Sequence, residues 1–289
     1  DVLYLLMSVM SGDGPRWRLG SALWEDEPAI LRTGGKGEVA HAVARSANGL
    51  IRVCGEGPST GVNPEDKVDA RVWPPVGEPL ELDYKLLDKE HQFDEILRAC
   101  DFAGERLVGV GEVFGQHEEG MPWPPKRKRP LLLELDNPTD PTWHVPGLGP
   151  GNTTQGSASE LAIDDEGRYW VGLYTCGDTC DAQGEVRRYE HGGKLTWTVT
   201  LGPSTLPPSA LAWSPAGYLV VGSAEVVGNW SSKFILQAFV PEEYEPAWSF
   251  AKAEVSSLHI AQAVAVGPGV VVGAGVGGNG FPAVAFLYP

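Results

Sequence analysis

No stretch of this chain approaches the roughly 20 consecutive apolar residues that a membrane-spanning helix requires. The apolar run from Val2 to Met10 has only the length of a strand. Basic residues are scarce, 22 against 38 acidic ones. The resulting net charge of −16 argues against nucleic acid or an anionic membrane as the partner of the molecule as a whole. Catalytic signatures are missing too. There is no Gly-x-Ser-x-Gly elbow, no His-Glu-x-x-His, no phosphate-cradling Gly-Lys-Ser/Thr loop and no calcium loop of EF-hand type. The Gly-rich run Gly273 to Gly280 follows a strand and leads to Phe281-Pro-Ala, so it reads as a hairpin loop.

What is present is a repeat. Ala158 to Gly172 and Ser209 to Gly222 each read as an alternating run, a polar or Pro turn, a Gly, and a β-rich run closing on Gly. The pattern recurs at His41 to Cys54, Ile96 to Gly109 and Ala261 to Gly273, with turn glycines Gly49, Gly104, Gly167, Gly217 and Gly269. These lie 50 to 63 residues apart, the period of a propeller blade made of short strands. The 37 Gly and 24 Pro suit many tight turns and oppose a helical protein. The expectation is an all-β propeller of four-stranded antiparallel blades, using residues 1–289 as one domain.

Alternation within the first strand of each repeat sets Ala42 and Ala44, Leu97 and Ala99, Glu160 and Ala162, Ala210 and Ala212, and Ala263 and Ala265 on one face. Small side chains fit where inner strands converge. Leu161, Ile163, Leu211, Trp213, Val264 and Val266 take the opposite face, for packing on a neighbouring blade. Trp197 and Trp248, at matching places in outer strands, read as inter-blade packing residues. Val2 to Met7, Arg16 to Trp24 and Ala29 to Thr33 read as the second, third and fourth strands of a blade, and the last repeat has its first three. Four full and two partial repeats give six blades, or five if the N-terminal strands complete the last repeat.

The run Asp164-Asp-Glu-Gly-Arg-Tyr-Trp-Val-Gly172, followed by Val186-Arg-Arg-Tyr-Glu-His-Gly-Gly-Lys-Leu-Thr-Trp197, resembles the secreted bacterial propellers with PQQ-like or NHL-like repeats. The Gly-His and Trp-Asp pairs of WD40 blades do not recur. The resemblance implies the fold and an extracytoplasmic setting, and it carries no catalytic residue across.

Four cysteines, an even count, fit an oxidising compartment. Cys176 and Cys180 are placed to staple a loop. Cys54 and Cys100 fall on strands expected to be close in adjacent blades, so a second bridge is geometrically conceivable. Zinc would need two more ligands, and only the distant His191 offers itself in that repeat. Asp178, Asp181 and Glu185 supply oxygens for Ca²⁺ at a spacing that matches no defined loop. No other cofactor is indicated.

Candidate site residues are departures from the repeat's own rule. Glu160 stands where most repeats have Ala, and Arg45 and Arg98 stand where other repeats have apolar side chains. A charge on a converging inner strand must pair or reach water. His41 and His259, with Glu38 and Glu95, sit at or just before inner strands at one mouth of the expected channel. Together they form either a polar funnel for a ligand or acid–base work, or a wet channel lined by mutually paired charges. The long loop from Gly115 to Pro125 carries Trp123 and runs into Lys126, Arg127, Lys128 and Arg129, a surface for a partner or a solvated strand start. Trp73, before Pro74 and Pro75, is a similar element. The reading is a secreted or cell-surface, non-enzymatic binding or assembly module, its partner another protein or a surface assembly. The alternative is a hydrolase or lyase acting on a sugar or lactone at the channel mouth.

Overall fold

The computed structural model describes residues 3–11, 14–22, 29–58, 68–82, 93–115, 127–137, 140–144, 155–176, 183–203, 205–228, 231–252, 260–276 and 282–287. These residues form strands and turns, grouped in two compact units, Asp1–Pro146 and Gly147–Pro289. Among them no helix is long and apolar enough to cross a membrane.

The first unit holds three sheets. The first contains β1 (Leu3–Ser11), β2 (Gly14–Ala22) and β3 (Ala29–Thr33). The second contains β4 (Val39–Arg45), β5 (Ile51–Pro58), β6 (Val68–Trp73) and β7 (Leu80–Leu82). The third contains β8 (Phe93–Ala103), β9 (Arg106–Gly115), β10 (Arg127–Asn137) and β11 (Asp140–His144).

The second unit repeats the plan. Its sheets are β12 (Gln155–Ile163), β13 (Tyr169–Cys176), β14 (Gln183–Glu190) and β15 (Lys194–Thr200), then β16 (Ala210–Ser214), β17 (Tyr218–Gly228), β18 (Ser231–Phe239) and β19 (Trp248–Lys252). The last holds β20 (Ile260–Gly267), β21 (Val270–Val276) and β22 (Pro282–Leu287). Every pairing joins consecutive strands antiparallel. The protein is all-β, and these meandering sheets are the blades of a β-propeller fold.

The repeat exists because its first hairpin closes locally. The buried Asp164 carboxylate accepts hydrogen bonds from the backbone N–H groups of Glu166 and Arg168, from Arg168 Nε and from the indole of Trp170. Ser46 and Ser214 do the same work more weakly, each accepting one backbone N–H in its turn. The turn then needs a left-handed residue, and Gly167 supplies it with φ of 77°.

Repeat two departs from this frame. Its turn has two residues, Gly104 and Glu105, with Ala103 opposite Arg106. The residue facing the closing glycine Gly109 is therefore Cys100, not Leu97. Elsewhere Ala42 faces Cys54, Glu160 faces Gly172 and Ala210 faces Gly222. Alignment by turn glycines thus misplaces the inner face of β8. The alanines divide as well: Ala44 and Ala162 are buried, whereas Ala265 is exposed.

Two kinds of core result. In the first unit Ala44, Cys54, Val72, Leu82, Leu97, Cys100, Leu131 and Leu133 pack between the second and third sheets. Trp17 and Trp73 meet at 5.0 Å between the first and second. Trp73 is fully buried, so it belongs to this core and not to a partner-facing surface. In the second unit Trp170 and Trp197 pack edge to face at 5.4 Å, and Trp213 of the next sheet stacks on Trp170 at 5.6 Å. Trp197 is buried between sheets, the place expected for an inter-blade residue.

Candidate functional site

The first strands of the second and third sheets are each interrupted by one irregularity, between Ala40 and Ala42 in β4 and between Leu97 and Ala99 in β8. The inserted residues are His41 and Arg98. A bulge re-aims the side chain it carries, and these two meet across the seam, with Arg98 Nη1 3.2 Å from His41 Nε2.

Behind Arg98 lies the carboxylate of Glu112 on β9, fully buried. Its Oε1 accepts from Arg98 Nη2 at 2.8 Å and from Lys128 Nζ of β10 at 3.2 Å. A buried carboxylate is tolerable only when charged donors satisfy it. Glu112 thereby holds two cations of one sheet at fixed positions. Both cations remain partly open to solvent, their side chains 32% and 40% exposed.

The hydrogen-bond direction is set by chemistry. A guanidinium only donates, so His41 Nε2 accepts and the neutral ring carries its proton on Nδ1. Among the described residues no acceptor reaches Nδ1, and three of the five Arg98 N–H donors have no protein partner. Glu56 Oε1 of β5 stands 3.5 Å from His41 Nε2 and is beyond ion-pair reach of Arg98. The seam therefore presents the unshared donors of Arg98 and His41 beside the Glu56 carboxylate. Glu95 is buried on β8 opposite Val113.

The disulfide Cys54–Cys100 crosses the same seam. Cys54 is the ladder partner of Ala42, next to His41, and Cys100 lies two residues past Arg98. The conceivable second bridge is thus present. Cys176 is also disulfide-bonded, while Cys180 lies outside the described residues.

In the second unit Glu160 stands beside the irregularity at Ser159 in β12, half-buried, and opposite Gly172. Pro208 and Leu211 close in on Gly172 beside it, and Ser159 Oγ donates to the Pro208 carbonyl at 3.0 Å. No donor among the described residues reaches the Glu160 carboxyl, and burial pushes its pKa up to about 8. The acid thus keeps its proton at neutral pH.

The remaining candidates separate. Glu38 is taken up by Arg71 at 2.9 Å and by the Gly35 N–H at 2.6 Å. Arg45 lies over the Tyr4 ring at 5.8 Å. Lys128 and Arg129 are within β10 and partly buried, and Arg127 begins that strand. Trp123, Lys126 and His259 lie outside the described residues, as do Asp178 and Asp181. Glu185 accepts from Thr175 Oγ1 and from Arg187 at 2.7 and 2.9 Å, which occupies its oxygens. Among the described residues no three potential metal ligands cluster.

Sequence reasoning missed Glu112 and Glu56. Glu112 had a readable signal, a lone charge inside the apolar run Leu107 to Val113. The bulges that aim His41 and Arg98 had none.

No family model matches the sequence, and no curated protein is similar to it. Solved structures are similar in fold. A puromycin-hydrolysing peptidase of Mycobacterium tuberculosis superposes with a TM-score of 0.52 at 15% identity, over 98% of this chain and 42% of that one. This chain thus spans less than half of that peptidase. A catalytically inactive virginiamycin B lyase from Staphylococcus aureus, solved with quinupristin, gives 0.51 at 12% identity, over 100% of this chain and 88% of the lyase. At such identities the likeness is one of fold.

Proposed function

We propose that this chain is a single extracytoplasmic propeller acting as a non-enzymatic binding module, and that its ligand presents a carboxylate to Arg98, His41 and Lys128. One observation carries the reading: buried Glu112 fixes Arg98 and Lys128 together, while unshared N–H donors of Arg98 and the Nδ1–H of His41 remain available. A guanidinium fork with unshared N–H donors suits a carboxylate in bidentate geometry. The Cys54–Cys100 disulfide accords with an oxidising compartment, and the repeats sit with the PQQ-like and NHL-like propellers in this reading.

The test is a chemical-shift titration of the whole chain with glucuronate, alongside glucose as the neutral control. The expected result is movement of the His41 and Arg98 signals by glucuronate alone, with at least tenfold weaker binding in Arg98→Met. Glucuronate binding that survives Arg98→Met unchanged, or no binding by the native protein, defeats the reading.

Glu160 favours a second reading, a hydrolase or lyase acting on a sugar or lactone. A carboxyl that holds its proton to about pH 8 is in the state a general acid needs. The solved structure that aligns over 88% of its own length is that of a lyase, which accords with this second reading. Turnover of δ-gluconolactone above the spontaneous rate, abolished by Glu160→Gln, would establish it. Turnover unchanged by that substitution would remove Glu160 from the chemistry.

A further inference from the structure

Resting on the carboxylate-binding reading, we infer that the Cys54–Cys100 disulfide is a positioning device for the site, holding Arg98 against His41 across the seam. His41 and Arg98 belong to different sheets, and among the described residues no backbone ladder joins the second sheet to the third. Their 3.2 Å contact therefore depends on how those sheets are spaced. The disulfide ties β5 to β8 next to that contact, since Cys54 is paired with Ala42 and Cys100 follows Arg98 by two residues. Both residues beside the disulfide are bulged, so their aim depends on local backbone that no regular ladder fixes.

Cys54 and Cys100 are buried, which shelters the bond and suits permanent preorganisation better than redox switching. The apolar packing of Ala44, Leu97 and Leu131 is indifferent to the direction in which Arg98 points, and the hydrogen bonds that also cross the seam, Val68 N–H to Asp94 and Asn48 to Glu105, hold neither His41 nor Arg98. The covalent link supplies the precision that these contacts lack.

Two measurements test this on the full chain. In the first, ring-nitrogen NMR of His41 is recorded for the native protein and for the Cys54→Ala/Cys100→Ala variant. The native spectrum is expected to show one neutral tautomer with Nδ1 protonated and Nε2 accepting. The variant is expected to show mixed tautomers and at least fivefold weaker glucuronate binding. An unchanged His41 spectrum with unchanged affinity overturns the inference.

The second measurement serves if that variant does not fold. Coupling is reciprocal, so a contact supported by the disulfide must in turn favour the disulfide. Dithiothreitol titration of Arg98→Met should therefore reduce Cys54–Cys100 more readily than in the native protein, and an identical titration overturns the inference. The two readings fail separately. Absent glucuronate binding with intact tautomer coupling removes the ligand and leaves the positioning role, whereas binding without coupling does the reverse.

Discussion

The two units solve one problem, fixing a sheet against its neighbour, with opposite chemistry. Between the second and third sheets the inner edge is ionic and covalent: Arg98, Glu112, His41 and a disulfide. Between the fourth and fifth sheets the cement is aromatic, with Trp170, Trp197, Trp213 and Phe239 in mutual contact. Arg188 adds its guanidinium over the Trp170 ring at 5.5 Å. An aromatic seam gains from buried area and is geometrically tolerant. A polar seam gains little net free energy, because desolvation offsets attraction, but it fixes directions. That contrast sets a direction-fixing candidate binding edge in the first unit against an aromatic seam in the second.

The contrast predicts unequal responses to truncation. Trp170→Ala removes the hub on which Trp197 and Trp213 both rest, as well as the donor to Asp164. It should destabilise by about 3–5 kcal/mol, read as a fall in the denaturant midpoint of the second unit. A loss below about 1 kcal/mol would show that the aromatic seam is not the main cement.

The next largest effect falls on the other seam. Cys54→Ala with Cys100→Ala opens a link spanning 46 residues of sequence, and the loss should be about 2–4 kcal/mol. Denaturation followed separately at Trp17 or Trp73 and at Trp197 should place this loss in the first unit. Equal loss in both would mean that the seams are not independent.

These two seams were unequally legible in the sequence. Repeat spacing, turn glycines and alternation exposed the strands, and the tryptophan at matching outer positions announced the aromatic packing, because periodicity is a local property of the chain. His41 and Arg98 stood out as charges at apolar places, but their meeting did not. It depends on two bulges and on a two-residue turn at Gly104 that shifts the register of β8, and neither leaves a mark in composition. Trp73 misled for a related reason: the two prolines that follow it suggest an exposed loop, yet the residue ends β6 and is buried in the core.

A smaller effect probes the inner face of the second unit. Ala162 is buried in β12 opposite Trp170, so Ala162→Leu overpacks the aromatic seam and should cost about 1–3 kcal/mol. The equivalent change at exposed Ala265 should be nearly silent in the same thermal melts. If both were silent, the small-residue face would be incidental to packing.

The smallest effect is conditional on pH, and it separates an acid held by its surroundings from one held by partners. Glu160 has a folded-state pKa of about 8 against an ordinary 4.5. The folded chain therefore binds this proton more tightly than the unfolded chain does. Stability from that source is present below about pH 4.5 and is lost as pH rises through about 8, where the fold must accept a carboxylate in a poorly solvated place. Glutamine keeps the shape and cannot ionise. Glu160→Gln should match the native protein in thermal melts at pH 4 and exceed it at pH 9, by about 1–2 kcal/mol once partial exposure is discounted. Glu112→Gln should behave in the opposite sense at neutral pH and above, destabilising because it leaves Arg98 and Lys128 without their counter-charge. Equal behaviour of the two variants would mean that both carboxyls sit in the same electrostatic setting, and the distinction between a paired seam and a lone acid would fall with it.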